Sequence, residues 1–320
     1  MSVTDLVIQP DVRLLDGSSM TRSTLVKPGM CGHNSLFVGQ IGDWTWETVS
    51  ALCGVNAFAA TNDNGLPTYL SFYYFHIKAS PVMHLGKLTF GDQIRVTSRL
   101  FDFGSESILA LHKIKLEDRD AAPIDPHEFY AQTDERCIYV ENLNRWITRA
   151  DGRSNDLLLK SSPVGFEHAH LPALPDEYSP RRAYQYARSH LTFLDRDHGR
   201  LPTTEPFTVD YHVDITRDLN GVGLLYFAAY FSIVDAALLG HWRRLGRSDE
   251  SFLDRVVLDH RICYLGNVNA GSVLRNRVAG WRTPGRPDDE VVEIVLEDRG
   301  TGRVIAVSTV QYLIAARRGR

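Results

Sequence analysis

Cysteine is scarce and scattered in this chain. Cys31, Cys53, Cys137 and Cys263 show neither CxxC nor CxxxC spacing, which excludes a recognisable zinc motif and a disulfide framework and leaves buried thiols as the simplest reading. His33, His76, His84, His112, His212, His241 and His260 form no HxxxH or HExxH pair, so no metal site is expected. GxSxG, a phosphate-cradling GxxxxGKS loop and a GxGxxG turn in a βαβ setting are all missing, and the commonest hydrolase and cofactor readings go with them. No apolar run approaches the roughly 18 residues that cross a bilayer, and the N-terminus lacks a basic stretch followed by an apolar one and a cleavage site. The expectation is a cytoplasmic protein without a membrane span. Basic surplus is missing too. The net charge is −4 and the pI about 6.3, so nucleic acid is not an expected partner, and Arg317, Arg318 and Arg320 read as a solvated tail.

What remains is an ordinary globular composition, 43% hydrophobic and 23% charged over 320 residues, long enough for two domains. Within it, LEDR occurs at Leu116–Arg119 and again at Leu296–Arg299. The same offset of 180 relates Leu85-Gly86 to Leu265-Gly266, Gly91 to Gly271, Ile94-Arg95 to Leu274-Arg275, Ser71-Phe72 to Ser251-Phe252 and Phe101 to Trp281. Matches at one constant spacing in one order imply a single fold unit written twice.

The periodicities give the unit a shape. In the first half a short apolar run, His33 to Val38, leads into a glycine-punctuated turn, Gly39 to Asp43. Trp44 to Phe58 then carries Trp46, Val49, Leu52 and Cys53 at helical spacing. Extended segments rich in β-branched and aromatic residues are expected at Tyr69–Lys78, Asp92–Phe101, Ser107–Leu116 and Phe129–Val140. The second half repeats the order, with a strand Thr208–Thr216, a turn Asp218–Gly223, a helix from Leu224 to about Leu245, and strands Arg255–Tyr264, Ser272–Trp281, Glu290–Glu297 and Arg303–Ile314. A sheet wrapped around one apolar helix buries both surfaces together. The fold class is therefore α+β, a double hot-dog: an N-terminal half over 1–150, a connector over 151–206 and a C-terminal half over 207–320. Within the connector, Arg181 to Phe193 can hold a short helix.

Two turns carry pointed chemistry. Asn220, Gly221 and Gly223 stand directly ahead of the apolar helix beginning near Leu224, and backbone amides at a helix start suit a developing negative oxygen. The first half offers Gly39, Gln40, Gly42 and Asp43 ahead of Trp44, with His33 and Asn34 at the entrance. Both turns also admit a plain structural reading, with Asp43 capping a helix and the glycines changing direction. Tyr69 and Tyr73 share one face of a strand while Tyr74 points to the other.

The runs CGHNSLFVGQIGDWTWETVSALCGVNAF, PTYLSFYYF and RDLNGVGLLYFAAYFSIVDAA resemble the double hot-dog family of the bifunctional acyltransferase/decarboxylase from leinamycin biosynthesis, over essentially the whole chain. The resemblance implies decarboxylation of methylmalonyl-CoA and transfer of the propionyl group to the phosphopantetheine thiol of an acyl carrier protein in polyketide biosynthesis. It also implies an acyl-accepting tyrosine just after the first helix. Tyr69 matches best, with Tyr73 the alternative. Such chemistry expects no metal or organic cofactor, only a coenzyme A thioester as substrate and donors around the thioester oxygen. Asn220, His33 and Asn34 are the auxiliary donors. Tyr69 is a hydrogen-bonding residue at least as readily as a covalent one, because tyrosine at its ordinary pKa of about 10 is a weak nucleophile.

Two rivals remain open. One is a hot-dog thioesterase or dehydratase using Asp43, Asp218 or His33, and the other a non-catalytic carrier-binding protein. An acidic carrier would meet basic residues among Arg181, Arg182, Arg188, Arg243, Arg244 and Arg247. A monomer or a homodimer is compatible with one chain supplying both halves.

Overall fold

The computed structural model describes residues 10–31, 34–116, 121–152, 154–195 and 199–314, with Asn34 and Ser35 as backbone only. Two compact units emerge. The first takes the chain up to Ala150 together with Leu158–Pro180, and the second takes Asp151–Leu157 and the chain from Arg181 onward. The stretch 151–206 is therefore divided between the units instead of standing apart from them.

The first unit contains β1 (Asp11–Leu14), β2 (Ser19–Leu25), α1 (Asn34–Leu52), β3 (Tyr69–Lys78), β4 (Gln93–Asp102), β5 (Ser107–Leu116), α2 (Pro126–Ala131), β6 (Ile138–Arg149) and β7 (Leu158–Lys160). Its antiparallel sheet runs β1-β2-β4-β5-β6-β3, with β7 on the free part of β6. The alternation of each strand aims Leu70, Leu100, Ile108, Ala110 and Trp146 at Val49 and Leu52 of α1, in one buried cluster. The second unit contains α3 (Pro180–His190), β8 (Leu201–Pro202), β9 (Phe207–His212), α4 (Ala229–Arg244), α5 (Asp249–Leu253), β10 (Val256–Tyr264), β11 (Val273–Thr283), β12 (Arg286–Asp298) and β13 (Val304–Leu313). Here the order is β9-β11-β12-β13-β10, with β8 also on β11. Phe231 and Trp242 of α4 pack on His260 of β10 and Tyr312 of β13.

Both units thus follow one plan, a strand, a helix and four strands, with β2, α1 and β3–β6 answering to β9, α4 and β10–β13. The α+β double hot-dog is the observed fold. The offset of 180 holds best at the centre. β4 begins at Gln93 and β11 at Val273, and each is preceded by a glycine in the left-handed region, Gly91 at φ 96° and Gly271 at φ 81°. Only glycine enters that turn without strain. The registers have since drifted: Ile94 pairs with Leu116, whereas Leu274 pairs with Asp298 instead of Leu296. The Ser-Phe match is not structural, because Ser71-Phe72 lies in β3 and Ser251-Phe252 in α5. Of the first LEDR, residues 117–119 lie outside the described residues.

Other expectations need correction. Phe129–Val140 is not a strand. Asp125 accepts the Glu128 amide and Pro126 opens the helix, so this capping chemistry makes Phe129 and Tyr130 part of α2, and the strand starts at Ile138. The second central helix begins at Ala229, five residues after Leu224. The first begins at Asn34, ten residues before Trp44. Gly39 and Gly42 lie inside it, one turn apart and both buried, although each glycine costs roughly 1 kcal/mol in a helix interior.

Candidate active site

The strand that carries the tyrosines is anchored from both sides. Thr61 and Pro67 form an isolated bridge, the Thr68 amide reaches Ala60 O, and Trp46 Nε1 of α1 donates to Leu70 O at 3.0 Å. Leu70 and Phe72 turn inward beneath α1, which leaves Tyr69, Ser71 and Tyr73 half-buried on the opposite face. Tyr69 pairs with Ile147 of β6, and Arg149 lies over its ring at 5.8 Å from the centroid. Phe72 faces Asn144 and Tyr74 faces Leu143, so Tyr73 is the extra residue of a β-bulge. The Arg145 guanidinium sits 4.2 Å from the Tyr73 ring centroid, and its Nε donates to Ser107 Oγ. Bulges bend a strand and re-aim a side chain, and they recur beside active sites. Two tyrosine hydroxyls with two fixed cations now share one face, an arrangement suited to donating hydrogen bonds to a developing oxyanion. This face lies away from α1, so the tyrosines do not meet amides at the start of that helix.

The remaining site residues are placed differently. Gly39, Gln40, Gly42 and Asp43 belong to the interior of α1, where helix formation occupies their amides, so they cannot cradle an oxyanion. Partial desolvation of its carboxyl and the neighbouring Glu47 raise Asp43 above its ordinary range, although the residue as a whole is exposed. His33 lies outside the described residues, and of Asn34 only the helical backbone is described. In the second unit, Asn220, Gly221, Gly223 and Leu224 form a turn, not a helix start. Asn220 Oδ1 accepts the Val222 and Leu224 amides, the Gly223 amide donates to Asn220 O, and the Leu225 amide donates to Asn267 Oδ1. Those amides are spent on the turn itself. Asp218 is likewise engaged, accepting Tyr211 Oη and the Asp214 amide on one oxygen.

The turn is held by a residue that sequence reasoning passed over. Asn155 is buried, donates to Gly223 O at 2.7 Å and to Val268 O at 2.8 Å, and its amide donates to Asn269 Oδ1. Replacing Asn155 by alanine takes the donor from the buried Val268 carbonyl and from the part-buried Gly223 carbonyl, and should cost about 2 kcal/mol. Chemical denaturation of the variant, with hydrogen exchange rising first at residues 220–225, checks this.

Beneath α1 lies a second feature missed from sequence, a buried polar network. Thr45 Oγ1 donates to Ile41 O and accepts from Asn142 Nδ2 and His112 Nε2, while Ser98 Oγ stands 2.8 Å from His112 Nδ1. Thr45 has one proton, already given to Ile41 O, so His112 is protonated on Nε2 and accepts at Nδ1. Asn144 Nδ2 continues the network to Asn142 Oδ1. The signal was present as polar residues in inward register: Ser98, His112, Asn142 and Asn144 all occupy the helix-facing side of their strands. Complete burial, aided by nearby Arg22, pushes His112 down to about 3. The unfolded chain therefore binds a proton that the folded one refuses between about pH 6.5 and 3. Stability is complete above pH 6.5 and falls as pH drops through that window, by up to about 1.4 kcal/mol per pH unit for this histidine. Urea midpoints measured across the window should show the slope in the parent and a shallower one in His112→Gln.

Among the described residues no group of three or more His, Cys, Asp or Glu side chains is placed to hold a metal. No helix among them is long and apolar enough to cross a membrane. Cys53, Cys137 and Cys263 are buried, and burial raises Cys53 and Cys137 to about 12.

Comparison with known proteins follows the fold. Over 92% of this chain and 97% of its own, an acyl-ACP thioesterase from Bacteroides thetaiotaomicron superposes with a TM-score of 0.52 at 10% identity. A protein named as an oleoyl thioesterase from Lactobacillus plantarum reaches 0.58 at 10% identity, covering 94% and 98%. The 12:0-ACP thioesterase from Umbellularia californica reaches 0.51 at 11% identity, covering 92% and 93%. At these identities the likeness is one of fold. A search of curated proteins by sequence found no significant match. The family model of the LnmK N-terminal Hot Dog Fold domain matches residues 21–195, more than half of the chain and all of α1 through β7, and the chain therefore belongs to that hot-dog family.

Proposed function

We propose that the protein decarboxylates a malonyl-type coenzyme A thioester, methylmalonyl-CoA in the first instance, and passes the resulting propionyl group to the phosphopantetheine thiol of an acyl carrier protein. The observation that carries this reading is the pair of tyrosines on one face of β3, each ring under an arginine, in a chain of this family. In the first step the bond between the α-carbon and the carboxylate breaks, CO2 leaves, and the electron pair is delocalised onto the thioester oxygen as an enolate. The Tyr69 hydroxyl donates to that oxygen, and the Arg149 cation over its ring favours the negative charge. A proton from water is then added to the α-carbon. The carrier thiol attacks the propionyl carbonyl, the bond to the coenzyme A sulfur breaks, and the leaving thiolate takes up the proton that the carrier thiol loses. No metal or organic cofactor enters this route, and a cytoplasmic location suits its coenzyme A substrate.

The test is incubation with methylmalonyl-CoA, with and without a pantetheinylated carrier protein, following CO2 and the acyl product. CO2 with propionyl-carrier supports the reading. A second reading, hydrolysis, is favoured by the names of the thioesterases that share the fold. It requires free acid as the product and no dependence on the carrier.

A further inference from the structure

α3 has the sequence PRRAYQYARSH, with three arginines, a histidine and no acidic residue. Its inner face is clear: buried Ala187, with Tyr184, packs on Cys263, Val295 and Val307 of the second unit. The outer face presents Arg181, Arg182, Gln185, Arg188 and Ser189, all exposed. Three further arginines expected to meet an acidic partner, those of α4 and the turn after it, are engaged within the fold. Arg243 pairs with Asp249, Arg247 is held bidentately by buried Glu290, and Arg244 lies over the Phe207 ring. Among the described residues neither Arg182 nor Arg188 has a carboxylate partner.

The placement also opposes local stability. Arg181 and Arg182 occupy the first turn of α3, at the positive end of its dipole, where a carboxylate would be favourable and a cation is not. The first-turn acidic residues found in α2 and α5 have no counterpart in α3. A convex helix face on which Arg182 and Arg188, about 9 Å apart along the axis, meet no carboxylate of the described residues suits an extended acidic surface better than a small anion.

We propose that the outer face of α3 is the docking surface for an acidic, phosphopantetheine-bearing carrier protein. The inference rests on the transfer reading above for the identity of the partner, and its test is independent of turnover. Calorimetric titration of the full-length protein with a pantetheinylated acyl carrier protein should show binding that weakens as salt is raised. Arg182→Glu/Arg188→Glu should bind about tenfold or more weakly, with circular dichroism unchanged, whereas Arg243→Glu should bind as the parent does. Equal binding by the α3 variant overturns the proposal, as does failure of the parent to bind, or binding of anionic phospholipid vesicles through the same arginines in place of the carrier. A parent that binds the carrier through α3 yet turns over no acyl-CoA keeps this inference and ends the proposed activity.

Discussion

Tyr69→Phe should lower the rate of decarboxylation at saturating acyl-CoA by about 100-fold or more while leaving KM nearly unchanged, as expected for a donor whose bond strengthens with the developing oxyanion. The substitution removes one hydroxyl and little else. The phenylalanine ring keeps its seat beneath Arg149 and its rung opposite Ile147, so the thermal midpoint should not move. Tyr73→Phe should have the smaller effect, because the proposed donor is Tyr69 and Tyr73 only shares its face of the strand. The opposite ranking would transfer the working role to the bulge. Intact-mass analysis of protein quenched during turnover separates a hydrogen-bonding Tyr69 from an acylated one, since only the covalent route leaves a propionyl adduct.

Gly280→Ala should be the most damaging small substitution in the second unit. An added Cβ at Gly280 would lie 2.5 Å from the His241 ring and 2.6 Å from Thr203 Oγ1. Neither neighbour can retreat easily. His241 is fully buried on α4, Thr203 Oγ1 lies 3.2 Å from its Nε2, and the Thr203 amide donates to Gly280 O. Overpacking of this kind costs about 3 kcal/mol, which corresponds to a fall of roughly 6–12 °C in the midpoint of the affected unit. Gly266→Ala is the control, because its Cβ would meet only Ile305 Cδ1 at an ordinary 3.5 Å. Adding His241→Ala to Gly280→Ala should cost less than the sum of the single changes. Additive effects would mean that the ring and the strand are not in conflict.

The legibility of the fold followed the strength of each local signal. Tyr69–Lys78 and Ser107–Leu116 were read to the residue, because alternation and β-branched or aromatic content agree there with burial on one face. α1 begins ten residues before the point the sequence pattern predicts, because Gly39 and Gly42 look like a turn to any local rule yet lie buried within the helix. Phe129–Val140 failed for the opposite reason: local capping by Asp125 overrode the extended look of the aromatic residues. β2 escaped notice since Thr21, Arg22, Ser23 and Thr24 are polar, yet most of β2 is buried. At the candidate site, the strand carrying Tyr69 and Tyr73 was legible, but their orientation away from α1 was not, because a strand pattern does not say which face the helix covers. Asn220 and Gly221–Leu224 point to chemistry in the sequence because they stand ahead of an apolar helix, whose observed start is Ala229. A hydrogen bond donated by Asn155 and one accepted by Asn267, both distant in sequence, show the segment to be a braced turn.

The proposed transfer of a propionyl group after release of CO2 is open to one decisive reading, the intact mass of a pantetheinylated carrier protein after incubation with methylmalonyl-CoA and the parent protein or Tyr69→Phe. A propionyl-carrier species should form with the parent and far more slowly with the variant. A carrier that stays unmodified, or that carries methylmalonyl with its carboxylate intact, would rule the transfer out.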